Sequence, residues 1–398
     1  MPRVSQTAAV QVIASDDEAI AAAAAYAAQI APGAVERDAT GRLPHEELRA
    51  LAETGLLGMR VPPSFGGAGV RVETVAEVFR LISAADPAIG QIPQNHVQFV
   101  DTIIRYGGDA QRALFLPRFL AGARLGNALS ERGGPTALDW VTRLAGGRLN
   151  GRKYYATGAL TAQIVPVFAT DEDGTVVVVY VPRDAPGVEV DQDWDAFGQR
   201  GTFSGTATFT DVAVQDVWVL RRPFGREPAD THGAFGQLIH AAVDVGIARG
   251  ALTDGVAFLR ERARPWREAG VARAADDPQL VVLIGQLETR VRAAEALLAD
   301  AGRAIDAADA SGDDPELVAH ARLQTAAAKA FGGEVALEVA TAIFDVSGAS
   351  AADRKHGLDR HWRNARTHTL HDPARAKHHH LGRHRVHGEA PPAADPLV

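Results

Sequence analysis

Residues 363–373 read Arg-Asn-Ala-Arg-Thr-His-Thr-Leu-His-Asp-Pro, two imidazoles three residues apart beside a carboxylate. Positions three apart on a helical turn share a face, so His368 and His371 are expected to enter one pocket, with Asp372 turned about a quarter-circle away. An imidazole with an ordinary pKa of about 6.5 gives or takes a proton near neutral pH. Two on one wall suit general acid–base work. Asp372 has two readings, a proton-abstracting base or a helix cap. The second follows from Pro373, because Asp-Pro also opens expected helices at Asp277-Pro278 and Asp314-Pro315. Nine of the fourteen histidines lie beyond residue 350, which raises a metal site. The consecutive imidazoles His378 to His380 splay around a helix with no carboxylate at ligand-like spacing, so no metal is expected.

The surroundings that must position these groups divide by hydrophobic period. From Asp16 to about Ala121 the pattern is helical: an acidic start at Asp16, an Ala run closed at Gly33, then helices over 43–55 and 72–86, the second stopped by Pro87. Between about Gly122 and Val219 the period becomes that of strands, with 164–169 and 176–181 flanking an Asp-Glu-Asp-Gly turn and another strand at 205–209. After about His232 the helical pattern returns. Leu280, Ile284, Leu287, Val291, Ala294 and Leu298 form a bundle seam, and a partner helix starts at Asp314-Pro315. The expected fold is α+β and multidomain: an N-terminal helical domain (1–121), a central β domain (122–231), a C-terminal helical bundle (232–388) and a flexible tail (389–398).

A chain of 398 residues is long enough to bury a sizeable core. Its formal net charge of -8 argues against a nucleic-acid binder. No apolar run approaches the roughly 18 residues that span a bilayer, and the N-terminus carries no leader pattern; a cytoplasmic protein away from membranes is expected. The absence of cysteine removes disulfides, thiolate catalysis and Cys-type zinc sites.

Several further motifs carry chemistry. Asn127-Ala-Leu-Ser-Glu-Arg-Gly-Gly-Pro-Thr136 combines short hydroxyls with glycines that let backbone approach a flat ligand. In Lys153-Tyr-Tyr-Ala-Thr-Gly-Ala159, Tyr155 and Thr157 would point the same way on a strand. Gly198-Gln-Arg-Gly lies just after Trp194, which either walls a cavity or fills the β core. Four arginines fall between Arg260 and Arg267. His96 stands in Gln94-Asn-His-Val, and Gly348 in a small-residue stretch that reads equally as a helix stop.

This order and these motifs resemble the acyl-CoA dehydrogenase superfamily over about Asp16 to Gly388. Within it the likeness is greatest to the flavin-dependent monooxygenase branch of dibenzothiophene monooxygenases and sulfur-acquisition oxidoreductases. The resemblance implies a β-barrel-like central domain, a C-terminal four-helix bundle, a flavin between them and a homotetramer. It implies that Ser130 faces the flavin pyrimidine edge and Thr136 its phosphate side. Tyr155 would lie against the ring, and Thr157 would reach the N5 region. Arg262 and Gly348 would approach a neighbouring subunit's flavin. His96, His368 and His371 would act over the ring, with Asn127 hydrogen-bonding substrate or flavin edge. Pro135 and Ala137 depart from the family's Gly and Asp, and proline offers no amide to a phosphate.

The implied activity is a two-component monooxygenase taking reduced FMN from a separate reductase. With O2 it would oxygenate a small apolar, organosulfur substrate through a C4a-hydroperoxyflavin, one imidazole acting as the acid. No Gly-x-Gly-x-x-Gly follows a strand, in keeping with an external reductase. Two alternatives are an FAD-dependent acyl-CoA dehydrogenase with Asp372 as base and a flavin-free assembly module.

Overall fold

The computed structural model describes residues 10–132, 140–221 and 229–392. Six helices come first: α1 (Asp16–Ile30), α2 (Ala34–Thr40), α3 (His45–Glu53), α4 (Val72–Ala85), α5 (Pro87–Tyr106) and α6 (Asp109–Leu120). Ser15, one residue ahead of the acidic run, caps α1 by accepting the Glu18 amide at 3.2 Å. Expected to end at Gly33, this first helix instead passes through a 3-10 turn into α2, because Gly33 keeps a right-handed φ of -92°. Pro87 does end α4, and it also opens α5, a helix that periodicity alone does not reveal. Asp86 caps it by accepting the amides of Ala88 at 3.0 Å and Ile89 at 3.2 Å, while Pro87 fills a position that needs no donor.

Seven strands follow: β1 (Arg143–Ala145), β2 (Arg148–Lys153), β3 (Ile164–Thr170), β4 (Val176–Pro182), β5 (Val188–Val190), β6 (Ala207–Ala213) and β7 (Val219–Leu220). They form one sheet in the order β5-β6-β2-β1-β3-β4-β7. β3 and β4 pair antiparallel from Ile164↔Pro182 to Thr170↔Val176, across the turn expected between them. One face of β3 packs Val165, Val167 and Ala169 into the sheet's own core. The other sets Ile164 and Phe168 against Phe99 of α5 and Phe115 of α6, which seats the sheet on the N-terminal helices. β6 begins two residues later than expected, since Asp193 holds Thr206 through its amide at 2.7 Å and its hydroxyl at 2.6 Å.

The remainder is helical: α7 (His232–Glu261), α8 (Pro278–Ala310), α9 (Pro315–Ser347), α10 (Asp359–His368) and α11 (Ala374–His387). Asp277 and Asp314 cap α8 and α9 as their Asp-Pro pairs foretell. Leu287, Val291, Ala294 and Leu298 are buried along the α8 seam; Leu280 and Ile284 are only partly covered. α7 and α9 run parallel, with Gly332 against Val245 and, further along both, Gly255 against Ile343. Apolar residues of α1 and α4 join those of α7, α8 and α9 in a shared core. Among the described residues, no helix is long and apolar enough to cross a membrane.

Candidate active site

α7 is apolar along most of its length, yet its buried face carries Gln237, His240 and Asp244, spaced three and four apart and therefore stacked along one stripe. α10 lays His368 against that stripe. His368 Nδ1 meets Asp244 Oδ1 at 2.5 Å, and His368 Nε2 meets His240 Nδ1 at 3.1 Å. Lys329 of α9 completes the group by donating to Asp244 Oδ2 at 2.7 Å. All four side chains are buried. The His371 ring lies tilted against that of His240, their centroids 4.0 Å apart, and its Nδ1 sits 3.1 Å from Asp372 Oδ1. Both imidazoles of the 363–373 turn thus meet His240, 128 residues from His368, but they do not share a helical face: α10 ends at His368, and His371 lies in the turn beyond it with its side chain partly exposed.

Charge in this cluster is set by burial and by Lys329. Desolvation pushes the Asp244 carboxyl upward, but the Lys329 ammonium and His368 outweigh it and hold the pKa below the ordinary carboxylate range. Desolvation lowers His368 despite Asp244. His240, buried beside His371, His368, Lys329 and Lys377, is pushed well below its ordinary value. The resting cluster is therefore an Asp–Lys ion pair with two neutral imidazoles. On its outer side, Asp244, Lys329, Asp372 and Lys377 border a cavity of about 480 Å³.

The β layer docks on α10 beside this cluster. One turn before His368, Asn364 Oδ1 accepts the backbone amide of Gln199 at 2.5 Å, fixing α10 to the loop that precedes β6. In that loop Trp194 Nε1 donates to Gln199 O at 2.9 Å and stands edge-on to Tyr155 at 6.2 Å. Trp194 is partly exposed, so it does not fill the β core. Thr157, Ser204 and Thr202 form a hydroxyl chain, with 2.7 Å between the first pair and 2.9 Å between the second. The expected strand geometry at Tyr155 and Thr157 is corrected: β2 ends at Lys153, and Tyr155 takes φ 56°, a left-handed conformation strained for a bulky residue. The Tyr155 side chain is half exposed while Thr157 is buried, so the two do not point the same way. Ser130 is held by pairing of its carbonyl with the Tyr154 amide at 2.9 Å. Its neighbour Glu131 locks the segment by binding Lys153 Nζ at 2.6 Å and Thr142 Oγ1 at 2.7 Å.

His96 does not join the other imidazoles. It is fully buried; Nε2 donates to Leu57 O at 2.8 Å, and Nδ1 accepts the Leu125 amide at 3.0 Å. Both nitrogens are thus committed to backbone, which leaves no donor for a reacting group. The α5 face that meets α7 is another one: Gln98, two residues and about 200° further round, packs on Gly236. Asp372 is not the cap of α11, whose N-cap position is Pro373. Arg262 ends α7, exposed, 22 residues and so about 33 Å of helix from His240. Gly348 ends the parallel helix α9 with φ 74° and open space around it. Both therefore lie at the far end of the bundle from the imidazoles. Thr136 lies outside the described residues, as do Pro135 and Ala137. No group of histidines and carboxylates among the described residues is placed to hold a metal. His240, Asp244 and Lys329 escape a motif-based reading, yet the signal was present in the sequence: a His and an Asp four apart inside an otherwise apolar helix.

Family models meet the chain in three consecutive parts: the N-terminal domain of acyl-CoA dehydrogenase over 16–123, its middle domain over 134–212 and its C-terminal domain over 238–375. The chain belongs to the acyl-CoA dehydrogenase family. A dibenzothiophene monooxygenase of Rhodococcus erythropolis is 32% identical, with 95% of each chain covered. FMN-bound TdsC from Paenibacillus sp. A11-2 superposes with a TM-score of 0.89 at 29% identity, covering 96% of this chain and 100% of that one. The methanesulfinate monooxygenase MsuC from Pseudomonas fluorescens follows at 0.87 and 29%, covering 95% and 99%.

Unpartnered side-chain amides of this chain fit a flavin. An isoalloxazine edge alternates N–H donors with carbonyl acceptors, and such a ligand needs amide groups free to answer both. Buried amide oxygens of Asn127, Gln91 and Gln237 lack partners among the described residues, as do both amide atoms of Gln199. Buried polar atoms are nearly always satisfied in a complete assembly.

Proposed function

We propose that the chain is the oxygenase of a two-component system, one that takes reduced FMN from a separate reductase and uses O2 to oxygenate a small apolar organosulfur compound. Asp372 carries the choice between this reading and an acyl-CoA dehydrogenase. A carboxylate that removes a substrate proton must be free and basic enough to do so, whereas Asp372 is buried, bound to His371, and held below its ordinary pKa by that imidazole in spite of desolvation. Imidazoles occupy the working positions instead. Bound reduced FMN supplies the electrons that activate oxygen. Asn127 and Ser130 orient the flavin edge, Thr157 with its hydroxyl partners meets the ring, and Tyr155 with Trp194 closes the cleft against water. His371, held by Asp372, delivers the proton that the departing oxygen requires; His368 fixes its surroundings. Arg262 and Gly348, remote from their own cleft, serve the flavin phosphate of a second copy in a homotetramer. A cytoplasmic location suits an enzyme fed by a reductase.

The test supplies FMN, a flavin reductase, NADH and 18O2 with a panel of thioethers, thiophenes and sulfinates. One 18O atom is expected in the product, and His371→Ala should release oxygen's electrons as peroxide while forming at least tenfold less product. Absence of label from every product, together with bleaching of bound flavin by an acyl-CoA, would overturn the reading in favour of the dehydrogenase.

A further inference from the structure

We infer that His240 is a further proton-handling residue of this site and that Asp244, acting through His368, sets its tautomer. The inference rests on the monooxygenase reading for the identity of the reaction, but its geometry stands alone. An ionised carboxylate only accepts hydrogen bonds, so Asp244 Oδ1 requires a proton on His368 Nδ1. A neutral imidazole then presents a bare Nε2, which accepts the Nδ1–H of His240 at 3.1 Å. His240 in turn keeps a lone pair on its Nε2. That atom has no hydrogen bond to any described residue, and it belongs to the ring against which His371 packs at 4.0 Å. Lys329 neutralises Asp244 at 2.7 Å, which lets a full carboxylate remain ionised while buried.

The arrangement accepts and returns one proton. A proton arriving at His240 Nε2 from substrate or water displaces the Nδ1 proton onto His368 Nε2. His368 becomes an imidazolium that holds both nitrogens protonated, and Asp244 faces its charge. The reverse sequence returns the proton. The charged and titratable groups facing His240 are Asp244 on its own helix, Lys329 from α9, His368 from α10, His371 and Asp372 from the following turn, and Lys377 from α11. Asp244 and Lys329 are positioning residues, since both act through His368.

Two measurements on the full-length protein test this. Nitrogen-15 NMR of labelled histidines in the flavin-free chain should find both His240 and His368 protonated at Nδ1 and bare at Nε2. The charge-neutral pair Asp244→Asn with Lys329→Met should turn His240 into a mixture of tautomers. In turnover, His240→Phe retains a ring beside His371 without its nitrogens; a drop of at least tenfold in kcat is expected, with KM and FMN affinity within threefold of the parent. A purely structural role would instead weaken FMN binding and stability with kcat. Finding His240 protonated at Nε2 in the parent, or turnover of His240→Phe within twofold of it, would overturn the proposal. Should no organosulfur substrate turn over at all, the function reading fails, while the NMR result still decides the tautomer chain.

Discussion

His96 and His361 are buried imidazoles that the fold keeps neutral, and both bear on acid stability. Desolvation pulls each down to about 4, against the Leu57 carbonyl in one case and Asp254 in the other. A histidine whose folded pKa lies below its unfolded value contributes stability that is fully present above the unfolded pKa of about 6.5. That contribution is lost as pH falls toward 4, because the unfolded chain binds the proton first. The unfolding free energy from urea titrations should therefore fall between pH 7 and pH 4.5, by on the order of several kcal/mol in total. His96→Asn should flatten the slope over that window, and an unchanged slope would exclude His96 as a source. Lys153 shows the same conflict in an ammonium. Fully buried, its ammonium is pulled down to about 8 by desolvation although Glu131 opposes the shift. Lys153→Met should destabilise by about 3–5 kcal/mol, since it strands Glu131 without its cation. Adding Glu131→Gln should recover much of that loss; a double-mutant cycle on chemical denaturation measures the coupling.

At the scale of elements, caps rank the helices by what else their capping residue does. Asp314 caps α9 from an exposed position, so Asp314→Ala should cost about 1 kcal/mol. Asp86 caps α5 and also receives Arg37 Nε at 2.8 Å in a buried pair. Asp86→Ala should therefore cost several kcal/mol more, because it leaves a buried guanidinium unpaired; thermal melts of the two variants give the comparison. The same elements mark how far the sequence could be read. Asp-Pro pairs and a four-three apolar stripe found α8 and α9 because caps and seams are local patterns. α5 escapes because Pro87 both ends one helix and starts the next, although Asp86-Pro87 is the same pair that opens α8 and α9. The turn at 363–373 was legible as chemistry. Its partners on α7 and α9 were not, since pairing with Asp244 across 124 residues, and with Lys329 through Asp244, is a product of packing. His96 was misplaced for a related reason: a motif supplies the residue type, and only the fold decides which way the ring faces.

The whole molecule is organised around the seating of the β layer on helices from both ends of the chain. Arg200 donates to the carbonyls of Asp38 and Ala39 at 2.8 Å each. Arg363 pairs with Asp38 and donates to Phe197 O at 3.0 Å, and Asn364 binds Gln199. The β layer thus keeps its place against α10 only while these three regions are docked. Asn364→Ala strands a buried amide, which should cost about 1–3 kcal/mol. FMN affinity should fall by about tenfold, measured by quenching of flavin fluorescence on titration. Normal affinity with lowered stability would separate the contact from the cleft.

Gly198 lies so close to α10 that a β-carbon there would collide with the Arg363 carbonyl and the Thr367 hydroxyl. The loop bearing Trp194 and Gln199 is accordingly pinned at a point that tolerates no side chain. Anyone diversifying this protein toward new substrates should leave that glycine untouched and vary the rim on either side of it, at Trp194 and Phe197, where half-open positions allow bulk to be exchanged without prising the sheet from the bundle.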